Sequence, residues 1–413
     1  MSVINMECKL GMQLMIADNS IDAIVTDPPY GLSKQPKMEE VLKHWLAGDD
    51  YNATGSGFMG KTWDSFVPGP SIWKEAYRCL KPGAWAVVFA GSRTQDLMAL
   101  SLRLAGFEIM DTGMWLYGSG FPKSLDISKA IDKTLGAKGS KGEVTGNSGK
   151  KRSCMAGDFK GGEYHDYIPA TDQAKQWEGF GTALKPAYEP FILARKPLDG
   201  TYANNVLKHG VGGLNIDGCR LPDGDRFPAN VIHDGSDCII DSLPITTTGT
   251  IKEGASGGSD MSSGNISHDR KNGRPPQPKT KLGDKGSAAR YFYCAKASKK
   301  DRDEGLENLS ITSAGEMTDR EEGSDGLNSP RAGAGRTTGS RNIHPTVKPT
   351  ELMRYLCRLV TPPNGLILDP FSGSGSTGKS AILEGFNFIG FEMDDKYCEI
   401  ANQRVKHAHN SRI

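Results

Sequence analysis

Leu366-Ile367-Leu368-Asp369-Pro370-Phe371-Ser372-Gly373-Ser374-Gly375 reads as a buried strand feeding a glycine-rich turn. Ser376 to Glu384 follows with a helical pattern, and Phe388-Ile389-Gly390-Phe391-Glu392 reads as the next strand. This is the βαβ pattern that cradles an adenosine-type cofactor. Glycines let the backbone approach the ligand, and an acid at the next strand's end binds ribose hydroxyls. Glu392 lies 17 residues after Gly375, close to the spacing this arrangement needs.

The same stretch holds a competing reading. Gly373-Ser374-Gly375-Ser376-Thr377-Gly378-Lys379-Ser380 formally matches the P-loop pattern G-x-x-x-x-G-K-S, which binds nucleotide phosphates. Against it, Asp369-Pro370 puts a carboxylate where a phosphate cradle avoids negative charge. The acid ending the next strand suits a ribose rather than a magnesium-bound triphosphate. No apolar strand ending in Asp follows before Ile413 to hold the metal. A P-loop nucleotide hydrolase is kept as the remote alternative.

Far upstream, the apolar run Ile21-Asp22-Ala23-Ile24-Val25-Thr26 reads as a buried parallel strand closed by Asp27-Pro28-Pro29-Tyr30. Two prolines fix φ at successive positions and remove two N–H donors, so the turn is stiff and its carbonyls are free to accept. A carboxylate, a free carbonyl and an aromatic ring on one rigid turn can grip a planar amine. Taken alone, the four residues fit a plain strand-ending turn equally well.

Together the two stretches, in this order, resemble the β-class amino-methyltransferases of DNA, in which the catalytic motif precedes the cofactor motif. Further segments match: Gly60-Lys61-Thr62-Trp63-Asp64, Arg78-Cys79-Leu80-Lys81-Pro82-Gly83, Leu184-Lys185-Pro186-Ala187-Tyr188-Glu189-Pro190 and His344-Pro345-Thr346-Val347-Lys348-Pro349. In detail the chain looks most like the adenine methyltransferases of phages and prophages. It departs from them in the first strand, where Met6-Glu7 stands in place of a common Gly-Asp. Glu7 is the candidate substitute beside the cofactor's adenine.

The resemblance implies a Rossmann-like methyltransferase fold, with a doubly wound, mostly parallel sheet and an inserted target-recognition region. It implies S-adenosylmethionine as methyl donor, no metal, and double-stranded DNA as partner. A homodimer is the candidate assembly, with a bacterial or phage-infected host cytoplasm as the setting and restriction–modification as the context. Asp27, Pro28, Pro29 and Tyr30 would be the catalytic set, gripping the N6 amine of a flipped-out adenine. Asp at the first motif position is commoner in adenine-directed relatives, and cytosine-N4 methylation is the alternative. Asp369, Pro370, Phe371, Gly373 and Gly375 would wall the cofactor and Glu392 would bind its ribose, with Thr346 and Lys348 approaching from the other side. The reading of the residues leaves His344 as a helix-start residue, Trp63 and Asp64 as cleft-lining or packed, and Glu189 as structural or facing the flipped base.

Composition agrees. The 413 residues, 37% of them hydrophobic, suffice for one large core or a core plus a smaller module. No apolar run approaches the ~18 residues of a membrane span, and the start Met-Ser-Val-Ile-Asn-Met-Glu lacks a charged signal region. Eight scattered cysteines without a C-x-x-C pair make a zinc site or disulfide framework unexpected and favour reduced thiols. The net charge of +1 hides a local asymmetry. His268 to Arg302 carries eleven Lys and Arg against three acids, and Asp303 to Asp325 carries eight acids against Arg320. The basic block surrounds Tyr291-Phe292-Tyr293, a mixture suited to phosphate contact and base stacking. Arg290, Tyr291, Lys296, Lys299 and Lys300 are the candidate DNA contacts, while a solvated loop with an ordinary strand from Tyr291 to Ala295 is the bland reading.

The expected organisation has residues 1–199 as the catalytic half, with an insertion loop at 134–180. Residues 200–340 form the recognition region and 341–413 the cofactor half. Residues 245–287 and 308–340 are so poor in apolar residues that order only on DNA is expected for much of them.

Overall fold

Short runs of β-branched and aromatic residues separated by amphipathic helical stretches build one large sheet in the computed structural model. It describes residues 2–32, 36–53, 62–118, 120, 124–147, 163–221, 226–247, 285–296, 298, 300–313, 316 and 339–412. The strands are β1 (Ser2–Asn5), β2 (Ile21–Thr26), β3 (Leu80–Phe89), β4 (Glu108–Leu116), β5 (Ser140–Asn147), β6 (Glu163–Ile168) and β7 (Tyr188–Arg195). They continue with β8 (Val231–His233), β9 (Ile245–Thr247), β10 (Lys285–Ser287), β11 (Tyr293–Cys294), β12 (Leu366–Asp369) and β13 (Asn387–Glu392). Nine of them form a sheet ordered β1-β13-β12-β2-β3-β7-β4-β8-β11. All run parallel except β7, which is antiparallel to both its neighbours. The fold is therefore the expected Rossmann-like, doubly wound α/β sheet.

Central strands are buried on both sides, so they read as continuous apolar runs rather than alternating ones. Ala23, Val25, Trp85, Val87 and Phe89 point to one face. Helices Thr350–Val360, Ser376–Glu384 and Asp395–Asn410, all from the C-terminal part of the chain, cover that face. Ile24, Ala86 and Val88 point to the other, covered by helices Cys8–Met15, Met38–Ala47, Pro70–Cys79 and Gln95–Leu104. Each half of the chain thus supplies one helical layer, and the sheet between them uses strands from both.

The seam between the halves is β2 against β12, with Ala23 beside Ile367 and Ile24 beside Leu368. Asp22 straddles it. One oxygen of its carboxylate pairs with Lys81 Nζ at 2.6 Å, from β3, and the other accepts the Leu366 amide of β12 at 2.7 Å.

Two regions differ from the sequence reading. The 134–180 segment, expected as a loop, carries the antiparallel pair β5–β6. Asp132 ties its base, accepting the Tyr167 hydroxyl at 2.8 Å and the Ala170 and Thr171 amides. A ribbon outside the main core has no periodic apolar face, which is why pattern reading passes over it. The 200–340 segment does not merely interrupt the βα rhythm: β8 and β11 extend the main sheet beside β4. The expectation of DNA-dependent order falls largely outside the described residues. Within them, β9 pairs with β10, and Thr312 bridges Ser340.

Among the described cysteines six are free, whereas Cys238 is disulfide-bonded, a departure from uniformly reduced thiols. No helix among the described residues is long and apolar enough to cross a membrane.

Asp22→Ala removes a partner from a backbone amide and a lysine at the seam, and should cost about 1–3 kcal/mol of stability. Asp22→Asn, which keeps an acceptor, should cost less. Chemical denaturation of the two variants checks this, and equal losses would show that the seam does not depend on that acceptor.

Candidate active site

Parallel strands end on one rim, and ligands of open α/β sheets bind in the crevice beyond those ends. Here β2 delivers Asp27 and β12 delivers Asp369, side by side because the two strands pair. Thr26 Oγ1 donates to Asp369 Oδ1 at 2.6 Å, and the Phe371 amide donates to the same oxygen at 3.1 Å. Asp369 is 1% exposed. Burial pushes its carboxyl up to about 7, against the pull of hydrogen bonds from Thr26, Thr377 and the Phe371 amide, and the nearby Asp27 charge adds to the rise.

The glycine-rich turn is shaped by close approach. Gly373 and Gly375 have φ of +50° and +76°. A Cβ on Gly373 would lie 2.9 Å from His344 Nε2, and one on Gly375 would lie 2.8 Å from Ala401 Cα. Gly375 is the N-cap of helix Ser376–Glu384, behind the cavity rather than on its wall. Glu392, at the end of β13, accepts the Gly373 amide at 2.8 Å and the Asp394 amide at 2.9 Å, so its carboxylate is preset over the turn. Burial raises its pKa. Fully buried Arg404 grips the turn from behind through the Ser374 carbonyl and hydroxyl.

Asp27-Pro28-Pro29-Tyr30 is pinned from outside. Asp64 Oδ1 accepts the Tyr30 and Gly31 amides at 2.7 and 3.0 Å, and Thr94 Oγ1 donates to the Tyr30 carbonyl at 2.6 Å. Asp64 is buried, so the cleft-or-packing question for it resolves into a brace for the turn. Among the described residues nothing donates to the Pro28 carbonyl. The Tyr30 hydroxyl donates to Asp27 Oδ1 at 2.7 Å. Burial, then the Asp27 and Glu189 charges, hold that phenol well above its ordinary pKa.

Sequence reasoning missed the ion cluster around Asp27. Lys348, expected beside the cofactor, places its ammonium 2.6 Å from Asp27 Oδ2 and 3.0 Å from Glu189 Oε2. It also lies 3.1 Å from the Tyr30 hydroxyl. Burial opposes its charge, but Asp27 and Glu189 outweigh that and hold Lys348 above its usual pKa. Glu189 reaches this rim because β7 runs backwards: its first residues lie where the parallel strands end, next to Ala90. Strand direction has no local signal, so pattern reading left Glu189 undecided.

These residues line one cavity of about 760 Å³ with Glu7, Asp27, Pro28, Pro29, Tyr30, Thr346, Lys348, Asp369, Pro370, Phe371, Gly373 and Glu392 on its wall. Glu7 is at the same time the N-cap of helix Cys8–Met15, accepting the Lys9 and Leu10 amides at 2.9 and 2.8 Å. His344 stacks on Trp63 at 6.0 Å and meets Tyr397 edge-on at 4.6 Å, forming an aromatic wall over Gly373. Burial lowers the His344 pKa to about 4. It is therefore neutral near pH 7, with Nδ1 donating to the Thr346 carbonyl.

The P-loop reading loses its lysine. Lys379 is 2% exposed and its ammonium pairs with Glu304 at 2.7 Å, so it does not reach into the turn to meet a phosphate.

The candidate DNA contacts separate into two groups. Arg290 spends its guanidinium on the Gly286, Ser287 and Thr246 carbonyls at 2.6, 2.9 and 3.0 Å. The Tyr291 ring lies 4.5 Å from the Arg290 guanidinium and 5.1 Å from that of Arg226. Both residues thus hold the β9–β10 pair to its neighbours. Lys296 and Lys300 are exposed, and Lys299 lies outside the described residues.

Because the folded pKa of Asp369 is raised, its ionisation opposes folding as pH climbs from its unfolded value toward about 7. Asp369→Asn keeps the Oδ1 acceptor without the charge. It should raise the melting temperature of ligand-free protein at about pH 8.5, with the gain shrinking as pH falls below about 7 and vanishing below about pH 4, where the unfolded carboxyl is also protonated. A gain independent of pH would contradict the buried ionisation.

The family model for DNA methylases of the N6/N4 type matches residues 21–403. Type II methyltransferase M.HinfI of Haemophilus influenzae is 38% identical over 66 residues, 16% of this chain and 18% of its own length. Type II methyltransferase M2.MboI of Moraxella bovis is 43% identical over 61 residues, 15% of this chain and 22% of its own length. The alignments therefore span less than a quarter of these relatives. Among solved structures, the M1.HpyAVI–SAM complex aligns over 98% of both chains with a TM-score of 0.37 and 14% identity. The cytosine-N4-specific PvuII DNA methyltransferase aligns over 99% of this chain and 93% of its own, with a TM-score of 0.42 and 14% identity. With the model match covering nearly the whole chain, this protein belongs to the DNA methylase family.

Proposed function

We propose that this protein methylates DNA, transferring a methyl group from S-adenosylmethionine to the N6 amine of adenine. The observation that carries the reading is the convergence of Asp27 and Asp369 on one cavity from adjacent strand ends. The residues fit the cofactor: a cradle at Gly373 that a Cβ would fill, and a half-buried carboxylate at Glu392 preset by two backbone amides. The cavity is also within the usual size range for small-ligand sites, about 300–1,000 Å³. Asp369, Pro370, Phe371 and Gly373 would hold the methionine portion, Glu392 the ribose, and Glu7 would stand near the adenine. Bound there, S-adenosylmethionine supplies an electrophilic methyl on a sulfonium.

The chain's own residues prepare the acceptor. The lone pair of adenine's exocyclic nitrogen is delocalised into the ring, so the amine is a poor nucleophile. Donating its two hydrogens to the Asp27 carboxylate and the Pro28 carbonyl would favour a tetrahedral nitrogen and aim its lone pair at the methyl. A charged acceptor of this kind is worth about 1.5–3 kcal/mol, and fixed orientation in a dry pocket adds more. On taking the methyl, with the sulfur leaving as a neutral thioether, the nitrogen would become cationic and acidic. Its surplus proton would pass to Asp27 or water, and no strong base would be needed beforehand. Flipping the base out of the duplex costs a few kcal/mol, and stacking on Tyr30 offsets about 1–3 kcal/mol of it.

Incubation of the protein with unmethylated DNA and labelled S-adenosylmethionine, followed by nucleoside mass spectrometry, should yield N6-methyladenine. N4-methylcytosine instead would keep the chemistry and move the target base. S-adenosylmethionine should raise the melting temperature and magnesium-ATP should not. Asp27→Ala should cut kcat by at least about 100-fold while S-adenosylmethionine affinity persists. Retained activity would sink the role given to Asp27.

A further inference from the structure

Both oxygens of the Asp27 carboxylate have donors within the protein, the Tyr30 hydroxyl on Oδ1 and the Lys348 ammonium on Oδ2. An incoming amine therefore meets an occupied acceptor. The occupant is not needed to hold the turn, because Asp64 and Thr94 brace its backbone independently. Nor is Lys348 suited to remove a proton, since two carboxylates keep it charged. What distinguishes it is a second anionic partner. Glu189 stands 3.0 Å away on β7, an element separate from the Asp27 turn, and Lys348 reaches either carboxylate from one position.

We propose that Lys348 and Glu189 are positioning residues that form a charge hand-over. Lys348 neutralises Asp27 while the cavity lacks a base, and Glu189 takes over the ammonium when the target amine claims Asp27. This rests on the amine-methylation reading above and adds to it a pair through which base entry is coupled to ion-pair exchange.

The energetics favour exchange over simple release. Lys348 is 7% exposed and its charge cannot move into water without leaving the cavity. Taking one partner from a buried ion pair strands the other charge and is strongly unfavourable. Glu189, with 27% of its side chain exposed, is already ionically paired with Lys348, so moving from Asp27 to Glu189 lengthens one contact without stranding the cation. The Tyr30 hydroxyl lies within reach of both carboxylates, at 2.7 Å from Asp27 and 3.2 Å from Glu189, and can follow the change. The ammonium also rests 5.3 Å from the Tyr30 ring centroid and 4.9 Å from that of Phe89, a setting that tolerates a small shift of the cation.

The test is an epistasis experiment on the full chain, reading tritium transfer from labelled S-adenosylmethionine into unmethylated plasmid DNA. Glu189→Gln leaves Lys348 with Asp27 as its one anionic partner and strengthens the competitor of the amine. The apparent KM for DNA should rise about tenfold, the loss falling on KM rather than kcat, with S-adenosylmethionine affinity unmoved in a thermal-shift titration. Adding Lys348→Met to Glu189→Gln removes the competitor and should recover most of that KM, which a merely structural role for either residue would not do. Lys348→Met alone leaves two facing carboxylates without a cation and should be worse than the double variant. A double variant as weak as, or weaker than, Glu189→Gln would overturn the hand-over, as would a Glu189→Gln loss confined to kcat. Should a methionine variant fail to fold, Lys348→Gln in the same background gives the same comparison. Wild-type protein that methylates no DNA would overturn the proposed function instead, so the two failures are distinct.

Discussion

The pairing of β2 with β12 is the constraint on which the rest of the structure depends. These strands lie more than three hundred positions apart in the chain, yet their ends stand side by side, tied by Thr26 to Asp369 above and by Asp22 to Leu366 below. Each half of the chain covers one face of the sheet, so neither half has a complete core without the other. The candidate site inherits this dependence. Its amine-gripping turn comes from one half and its glycine-rich turn from the other, and a parallel register delivers both to the same rim.

That rim concentrates charge that burial would ordinarily forbid. Asp27, Glu189 and Asp369 converge on one cavity with Lys348 as the cation among them. A buried ion pair is weak evidence for stability, because desolvation offsets most of the Coulomb gain. Its retention at the heart of the cavity is better understood through the site. The cluster gives Asp27 two donors, the Tyr30 hydroxyl and the Lys348 ammonium, whereas burial pushes the Asp369 carboxyl up to about 7. The two aspartates end adjacent strands and differ in environment.

Much of the fold was legible because its signals are local. Strands that are buried on both faces must be apolar throughout, and Ala84 to Ala90, Phe191 to Ala194 and Leu366 to Leu368 announce themselves that way. Gly373 and Gly375 mark backbone that no side chain could occupy without collision. The β5–β6 ribbon was not legible, since its residues carry no apolar period in the sequence. At Arg290 and Tyr291 the sequence signal is ambiguous for a related reason: basic and aromatic residues look alike in sequence whether they await a phosphate or hold neighbouring carbonyls, as Arg290 does.

The sequence by itself determined the sheet class, the rigid Asp27 turn, the glycine-rich turn and the acid at Glu392, because each depends on residues adjacent in the chain. Only the tertiary structure decided what surrounds Asp27. Lys348 and Glu189 reach it from segments 321 and 162 positions away, one as a tail crossing the rim and the other through the reversed direction of β7. It also decided that Lys379 faces Glu304 instead of a phosphate. Pairing between distant charges is set by where the backbone puts them, and direction and register across a sheet leave no trace in neighbouring residues.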